Sequence, residues 1–428
     1  MSTLATTPLT LPSGLVLPNR LAKAAMSEML GDASGAPTPA LSTLTACMGK
    51  SGVALQITGN VMIDPAHLGE PGNVVVAPGL GAAHEAALAQ WASSTSTPTL
   101  VQLNHPGRQS PKSLNPTPVA PSAVQLAQAG AFARPRALDA DEVEGVVAAF
   151  AAAARLVQQA GFAGVQLHAA HGYLLSQFLS PKTNLRTDRF GGSLENRARV
   201  LLAVVDAVRA ACGPAFTLAV KLNSADFQRG GFSHDDALHV ASWLDEHGVD
   251  LLEISGGTYE RPAMAGNGER ASTAEREAYF LTYAQGIRDR LRRTPLMLTG
   301  GLRSRAGIEA CLASGVDVVG LARPLTREPD LPHRLLRDAA ARARETRPLL
   351  HVPTVDALVD VAVTQAELTA LAHGKDPAQI PPRAWLLAKK LLAVRFGGPM
   401  RAPTSTTSTN STASTNSTNS TAATTVAP

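Results

Sequence analysis

Residues Asp139 to Leu175 read DADEVEGVVAAFAAAARLVQQAGFAGVQLHAAHGYLL. Asp139, with Glu142 at its third position, predicts an N-terminal cap, and a helical pattern runs behind it from Ala140 to Ala160. Gly164 to His168 is a short apolar run of strand length, and it opens at once into the polar turn His168-Ala169-Ala170-His171-Gly172-Tyr173. A second helical pattern follows over Leu194 to Ala211, with Leu201, Val204, Val205 and Val208 on one face. The same alternation extends outward in both directions. Strands are predicted at Leu21–Ala25, Val53–Thr58, Thr99–Leu103, Gly164–His168, Thr217–Leu222, Leu251–Ile254, Leu296–Leu298 and Val318–Leu321, each followed by a helical pattern. Eight such units with no second pattern predict an α/β fold, a (β/α)8 TIM barrel rather than a doubly wound sheet. No Gly-x-Gly-x-x-Gly follows an early strand, which counts against a dinucleotide-binding half.

Leu9 to Leu17 carries a Pro12-Ser13-Gly14 turn between apolar flanks and predicts a small hairpin closing the barrel bottom. Residues 1–346 are expected to form the barrel, and residues 347–403 a C-terminal helical extension packed on it, with an amphipathic helix around Trp385 to Val394. Residues 404–428, almost wholly Ser, Thr, Asn and Ala, cannot build a core and are expected to be a disordered tail. The 428-residue chain is 45% hydrophobic and 17% charged, enough for a large core. It has no apolar run of membrane-spanning length, and its first twelve residues lack a signal-peptide pattern, so a cytoplasmic location is expected. Cys47, Cys212 and Cys311 form no Cys-x-x-Cys pair, which predicts buried residues in helices rather than disulfides or a cluster. The net charge of +4 is dispersed along helical stretches, so nucleic acid is not an expected partner.

In such a barrel the reactive side chains lie at the C-terminal strand ends and in the loops beyond. Those ends are polar here. They carry Ala24-Ala25-Met26-Ser27, Thr58-Gly59-Asn60, Gln102 with Asn104-His105, His168 to Tyr173, Lys221 with Asn223, Ser255 to Tyr259, Gly300-Gly301 and Ala322-Arg323. The last two turns occupy the place where barrels hold a phosphate through backbone N–H groups, and Arg323 adds a bidentate cation. His168 and His171 have a spacing a metal could use, but no cysteine or suitable carboxylate lies near them in sequence. Two N–H donors aimed at one substrate oxygen is the preferred reading, and no metal is expected. Tyr173 is then placed as a proton donor, with a buried tyrosine bonded to backbone as the structural alternative. Lys221 sits within an apolar strand, where a cation requires an anionic partner. A Schiff-base lysine is one reading of it; a contact to a planar cofactor, which Gln102 and the two histidines suit, is the other.

Pro18-Asn19-Arg20-Leu21-Ala22-Lys23-Ala24-Ala25-Met26, Val101-Gln102-Leu103-Asn104-His105-Pro106-Gly107-Arg108, His168 to Gln177, Ser180 to Arg197 with its Arg186-Thr187-Asp188-Arg189-Phe190-Gly191-Gly192-Ser193 core, and Gly300 to Arg323 are a recognisable set. Together they resemble the Old Yellow Enzyme family of FMN-dependent NAD(P)H:flavin oxidoreductases, in the expected order from about Leu9 to Arg344. The resemblance implies bound FMN, NAD(P)H as reductant and an electron-poor alkene as substrate. It implies that Ala24, Ala25 and Met26 lie along the flavin ring, that Ser27 bonds near O4, and that Thr58, or Gly59, touches the ring. Gln102 would bond the pyrimidine edge, Lys221 would face the N1/O2 side, and Gly301, Ala322 and Arg323 would hold the phosphate. His168 and His171 would bind the substrate oxygen, flavin N5 would give hydride to the β-carbon, and Tyr173 would protonate the α-carbon.

Ser27 stands where other members have Thr or Cys, which argues against thiol-based tuning of the flavin. The cysteine run and glycine fingerprint of larger members are missing, so the resemblance implies a single-domain ene-reductase. It does not decide between a monomer and a homo-oligomer, nor between NADH and NADPH, and it does not name the alkene. Two rival readings stand beside it: a phosphate-binding lyase or aldolase using Lys221, and a flavin-binding protein with little turnover.

Overall fold

The computed structural model describes residues 3–126, 130–255, 284–344, 349 and 352–396. The predicted strand-end stretch from Gly256 to Tyr259 and the segment 404–428 lie outside the described residues. Eight parallel strands close on themselves: β1 (Leu21–Lys23), β2 (Leu55–Met62), β3 (Thr99–Asn104), β4 (Gly164–Ala169), β5 (Thr217–Asn223), β6 (Leu251–Ser255), β7 (Leu296–Thr299) and β8 (Val318–Leu321). Each strand neighbours the next in sequence, and β8 returns to β1 through the pairs Val319–Leu21, Gly320–Ala22 and Leu321–Lys23. This is the (β/α)8 barrel expected from the alternation.

The first two strands differ most from expectation, β2 also starting at Leu55 rather than Val53, and β3 to β7 each end one residue later than expected. β1 ends at Lys23, so Ala24 to Ser27 already form the turn beyond it. β2 continues past Thr58 to Met62, because its ladder with β3 shifts register between Ile57 and Asn60 and the bulge absorbs the irregularity. The helix Ala140–Gln159 has its reciprocal cap: Glu142 N–H donates to the Asp139 carboxylate at 2.8 Å, and Asp139 N–H donates to the Glu142 carboxylate at 2.9 Å. The helix Leu194–Cys212 buries Leu201, Val204, Val205 and Val208. Cys212 and Cys311 are buried and Cys47 is half-buried, all three in helices.

Alternate residues of a strand face opposite sides. One set, with Val101, Leu103, Val165, Leu167, Val220 and Ile254 among it, joins the surrounding helices in the main core. The other set fills the lumen. Toward the N-terminal strand ends, Ala22, Leu55, Ile57, Leu100, Ala219, Leu251, Met297 and Val318 form an apolar plug. Leu11 and Leu17 join that plug from the predicted hairpin, whose strands Leu9–Thr10 and Val16–Leu17 pair antiparallel. Two residues further along the same faces stand Gln102, Gln166, His168, Lys221, Glu253 and Thr299, all buried.

After the barrel comes a helix over Pro353–Ala372 that periodicity did not reveal, and then the anticipated one, at Arg383–Phe396. The first has apolar residues on several sides, Val359 and Val363 buried but Leu358 and Val361 exposed, so no clean polar face marks it. In the second, Trp385 is 52% exposed and Leu386 is buried. Among the described residues no helix is long and apolar enough to cross a membrane.

Candidate active site

Beyond β4 the chain turns sharply, with His171 at φ 60° and Gly172 at φ 78°. The left-handed region is uncommon for a residue with a side chain, and the neighbours hold it there. His171 N–H donates to Asn223 Oδ1 at 3.1 Å, Tyr173 N–H to the Ala170 carbonyl at 3.2 Å, and Gln177 Nε2 to the Gly172 carbonyl at 2.7 Å. The turn brings the three predicted side chains together. The His168 and His171 rings meet edge-on with centroids 5.1 Å apart, and His168 and Tyr173 do so at 4.6 Å.

Burial pushes the His171 imidazole down to about 3, with Lys221 adding to the shift. Burial also holds His168 well below its ordinary value, helped by His171 and Lys221. Both rings are therefore neutral at pH 7. Ala170 N–H points at His168 Nδ1 from 3.4 Å, which leaves the ring proton on Nε2 as a donor. His171 Nε2 lies 2.7 Å from Ser255 Oγ at the end of β6.

The anionic partner that Lys221 requires is Glu253 on the next strand, with Nζ 2.9 Å from Oε1 and both side chains buried. The other Glu253 oxygen accepts from Gln166 Nε2 at 2.7 Å, and Gln166 Oε1 accepts from Gln102 Nε2 at 2.8 Å. One buried chain of contacts thus joins Gln102 to Lys221. Neither Gln166 nor Glu253 was singled out from sequence. The signal was available, because each is a polar residue two positions from others of its face in an apolar strand, the feature that drew attention to Lys221.

Ala24 is buried in the lumen plug, Ala25 packs half-buried against it, and Met26 packs half-buried against the main core. Ser27 Oγ donates to Asn60 Oδ1 at 3.3 Å, across to the polar end of β2. Thr58 sits in the β2 bulge, where its hydroxyl donates to the Gly59 carbonyl at 2.7 Å and accepts Gln102 N–H at 3.1 Å. Its polar atom holds backbone together. Gly59 has no room for a side chain, since a Cβ there would stand 2.6 Å from the Met26 carbonyl oxygen.

After β7, Gly300 and Gly301 have φ of 132° and 73°, the backbone freedom the predicted turn needs. Ala322 precedes the short helix Arg323–Arg327. Arg303, Arg323, Arg327 and Arg344 line a cleft there, and Asp360 and Thr364 of the helix Pro353–Ala372 complete it. Arg323 pairs with Asp360 at 3.3 Å, so a phosphate would share that guanidinium with a carboxylate from the extension.

Elsewhere, Asp64, His67 and His105 are a group of metal-ligand type, with ligand atoms within 4.8 Å of one another. Their bonding points to another role. His67 Nδ1 is 2.6 Å from Asp64, and His105 Nδ1 accepts Gly107 N–H at 3.0 Å. The His105 proton therefore sits on Nε2 and removes the lone pair a cation would take.

The mouth also has polar groups to offer a ligand. Asn104 and Thr299, buried at the ends of β3 and β7, carry side-chain polar atoms with no hydrogen-bond partner among the described residues. Such atoms are costly unless a polar ligand meets them. An amide at Gln102, a cation at Lys221 and an arginine-lined cleft to one side fit the polar edge and the phosphate of FMN.

A sequence model of the NADH:flavin oxidoreductase / NADH oxidase family matches residues 6–341. The chain belongs to this family. The NADH-dependent flavin oxidoreductase nadA of Aspergillus parasiticus is 40% identical over 335 residues, 75% of each chain. The NADH-dependent flavin oxidoreductase iliE of Hypocrea jecorina is 36% identical over 401 residues, 87% of this chain and 98% of its own. Among solved structures, morphinone reductase is similar with a TM-score of 0.67 and 28% identity, over 81% of this chain and 92% of its own. An Old Yellow Enzyme homologue from Zymomonas mobilis shares the fold with a TM-score of 0.66 at 24% identity, over 82% of this chain and 96% of its own. This NADH:flavin oxidoreductase is accordingly a flavin enzyme of the Old Yellow Enzyme family, and membership removes the lyase reading of Lys221.

Proposed function

We propose that this oxidoreductase is an ene-reductase that saturates the activated C=C bond of α,β-unsaturated carbonyl or nitro compounds, with FMN resident and NADH as the reductant. The names of its relatives favour NADH over NADPH. The observation that carries the reading is the edge-on cluster of two neutral histidines and a buried tyrosine at one strand end. FMN, when bound, supplies the hydride. His168, with its proton on Nε2, and His171 bind the substrate oxygen and take up the negative charge that develops on it. Neutral imidazoles do this without giving the oxygen a full proton. Tyr173 transfers its phenol proton to the carbon next to the carbonyl.

Ala24, Ala25, Met26 and Ser27 would line the ring, with Thr58 shaping the bulge beside them. Gln102 and Lys221 would hold the pyrimidine edge, and Gly301, Ala322 and Arg323 the phosphate. In this reading residues 1–346 form the catalytic barrel, and the extension at 347–403 completes the phosphate side through Asp360. The test is spectroscopic. The purified protein is expected to be yellow, to bleach when NADH is added without oxygen, and to regain its colour on addition of cyclohexenone. A protein that takes up no FMN overturns the cofactor assignment, and one that bleaches but ignores the enone overturns alkene reduction.

A further inference from the structure

We infer that Glu253 is a positioning residue for the flavin edge: it fixes which way the Gln102 amide faces and balances the charge of Lys221. The inference rests on the reading of this mouth as the FMN site. A carboxylate only accepts hydrogen bonds, whereas an amide can present either end. Glu253 forms an ion pair with Lys221 Nζ through one oxygen at 2.9 Å and accepts a hydrogen bond from Gln166 Nε2 on the other at 2.7 Å. Gln166 must therefore turn its NH2 group toward β6, and its carbonyl end faces β3. Gln102 in turn must present its own NH2 group to Gln166, at 2.8 Å. The Gln102 carbonyl oxygen is left as the end for a ligand. A pyrimidinedione edge carries one N–H between two carbonyls, and an acceptor for that N–H is what the fixed orientation provides.

Without the carboxylate, an amide facing an amide is satisfied equally well either way round, and nothing in the chain selects one orientation. Charge gives the second half of the argument. Lys221 and Glu253 are 3% and 0% exposed, a neutral pair rather than a bare cation in the lumen. Neutralising Glu253 leaves Lys221 facing a ring that gains negative charge on reduction, so the reduced form is favoured.

The test uses the full chain, freed of cofactor and titrated with FMN by fluorescence quenching, then reconstituted for redox titration against a reference dye. Glu253→Gln is expected to bind FMN at least about tenfold more weakly than the unaltered protein and to show a more positive midpoint potential. Lys221→Met is expected to move the potential the other way. Gln166→Leu keeps the ion pair but cuts the chain to Gln102, so it weakens FMN binding and leaves the potential unchanged. If Glu253→Gln does not fold, the split between affinity and potential in Gln166→Leu decides. Unaltered FMN affinity and potential in the folded variants would overturn the inference while the FMN site stands. Failure of the unaltered protein to bind FMN overturns the site reading itself, and this inference with it.

Discussion

The two ends of the barrel lumen are built on the same strand faces, two residues apart, and are chemically opposite. Leu100, Ala219, Leu251 and Met297 close the lower end, whereas Gln102, Lys221, Glu253 and Thr299 follow them on β3, β5, β6 and β7 at the upper end. Burying the lower set stabilises the fold by about 25 cal/mol per Å² of apolar surface removed from water. Burying the upper set returns little even when every group is paired, because each must first leave water. Stability accounts for the plug and does not account for the polar layer above it. In the proposed function the upper layer is there for what it binds, consistent with chemistry at the C-terminal face of barrels.

The change that should separate the ends most is Tyr173→Phe. Loss of a proton donor is expected to slow reoxidation by an enone by roughly 10²–10⁴-fold, while reduction by NADH and the unfolding midpoint stay near their original values. Stopped-flow spectra of the two half-reactions would show this, and equal slowing of both removes the proton-donor role from Tyr173.

Next in size come substitutions that test why each layer is stable. Lys221→Met leaves the Glu253 carboxylate buried without its cation, at a cost of about 3–5 kcal/mol, and replacing both residues with Met should recover most of it. Leu251→Ala in the plug should cost about 2–5 kcal/mol through the cavity it leaves, with FMN affinity per folded molecule unchanged. Urea unfolding with a parallel FMN titration measures both. A plug substitution that loosens FMN tenfold in the folded protein would show that the two ends are not separable.

How much of this was legible in the sequence follows the reach of each signal. Periodicity is local, so the barrel, the Asp139 cap and the ends of β8 were readable, and so was the site turn, because His168, His171 and Tyr173 lie within six residues. The β2 bulge is a mismatch between two strands and has no local mark. Gln166 and Glu253 had the parity signal of Lys221, but only the cross-strand register connects them. Asp360 joins Arg323 from a helix whose apolar residues show no single face, so nothing in the pattern tied it to the cleft.

The smallest effect expected of any one side chain is the acid lability that each buried histidine of the upper end contributes. His105 and His171 are pushed down to about 3, and His168 well below its ordinary value, in each case mainly by burial. In the unfolded chain the same rings take up protons near pH 6.5. Below that pH the unfolded state binds more protons than the folded one. These groups therefore leave stability intact above about 6.5 and lower it as pH falls, by roughly 1.4 kcal/mol per pH unit for each ring. For His105 and His171 the loss runs on until the folded protein protonates at about 3. Urea midpoints between pH 6.5 and 5 should show the slope, and His171→Asn should reduce it by one proton. Leu251→Ala should lower every midpoint and leave the slope alone, because the plug holds no titrating group. An unchanged slope in His171→Asn would mean that His171 takes up its proton in the folded protein, so that the upper layer is wet and the division of the lumen lies deeper than the strand ends.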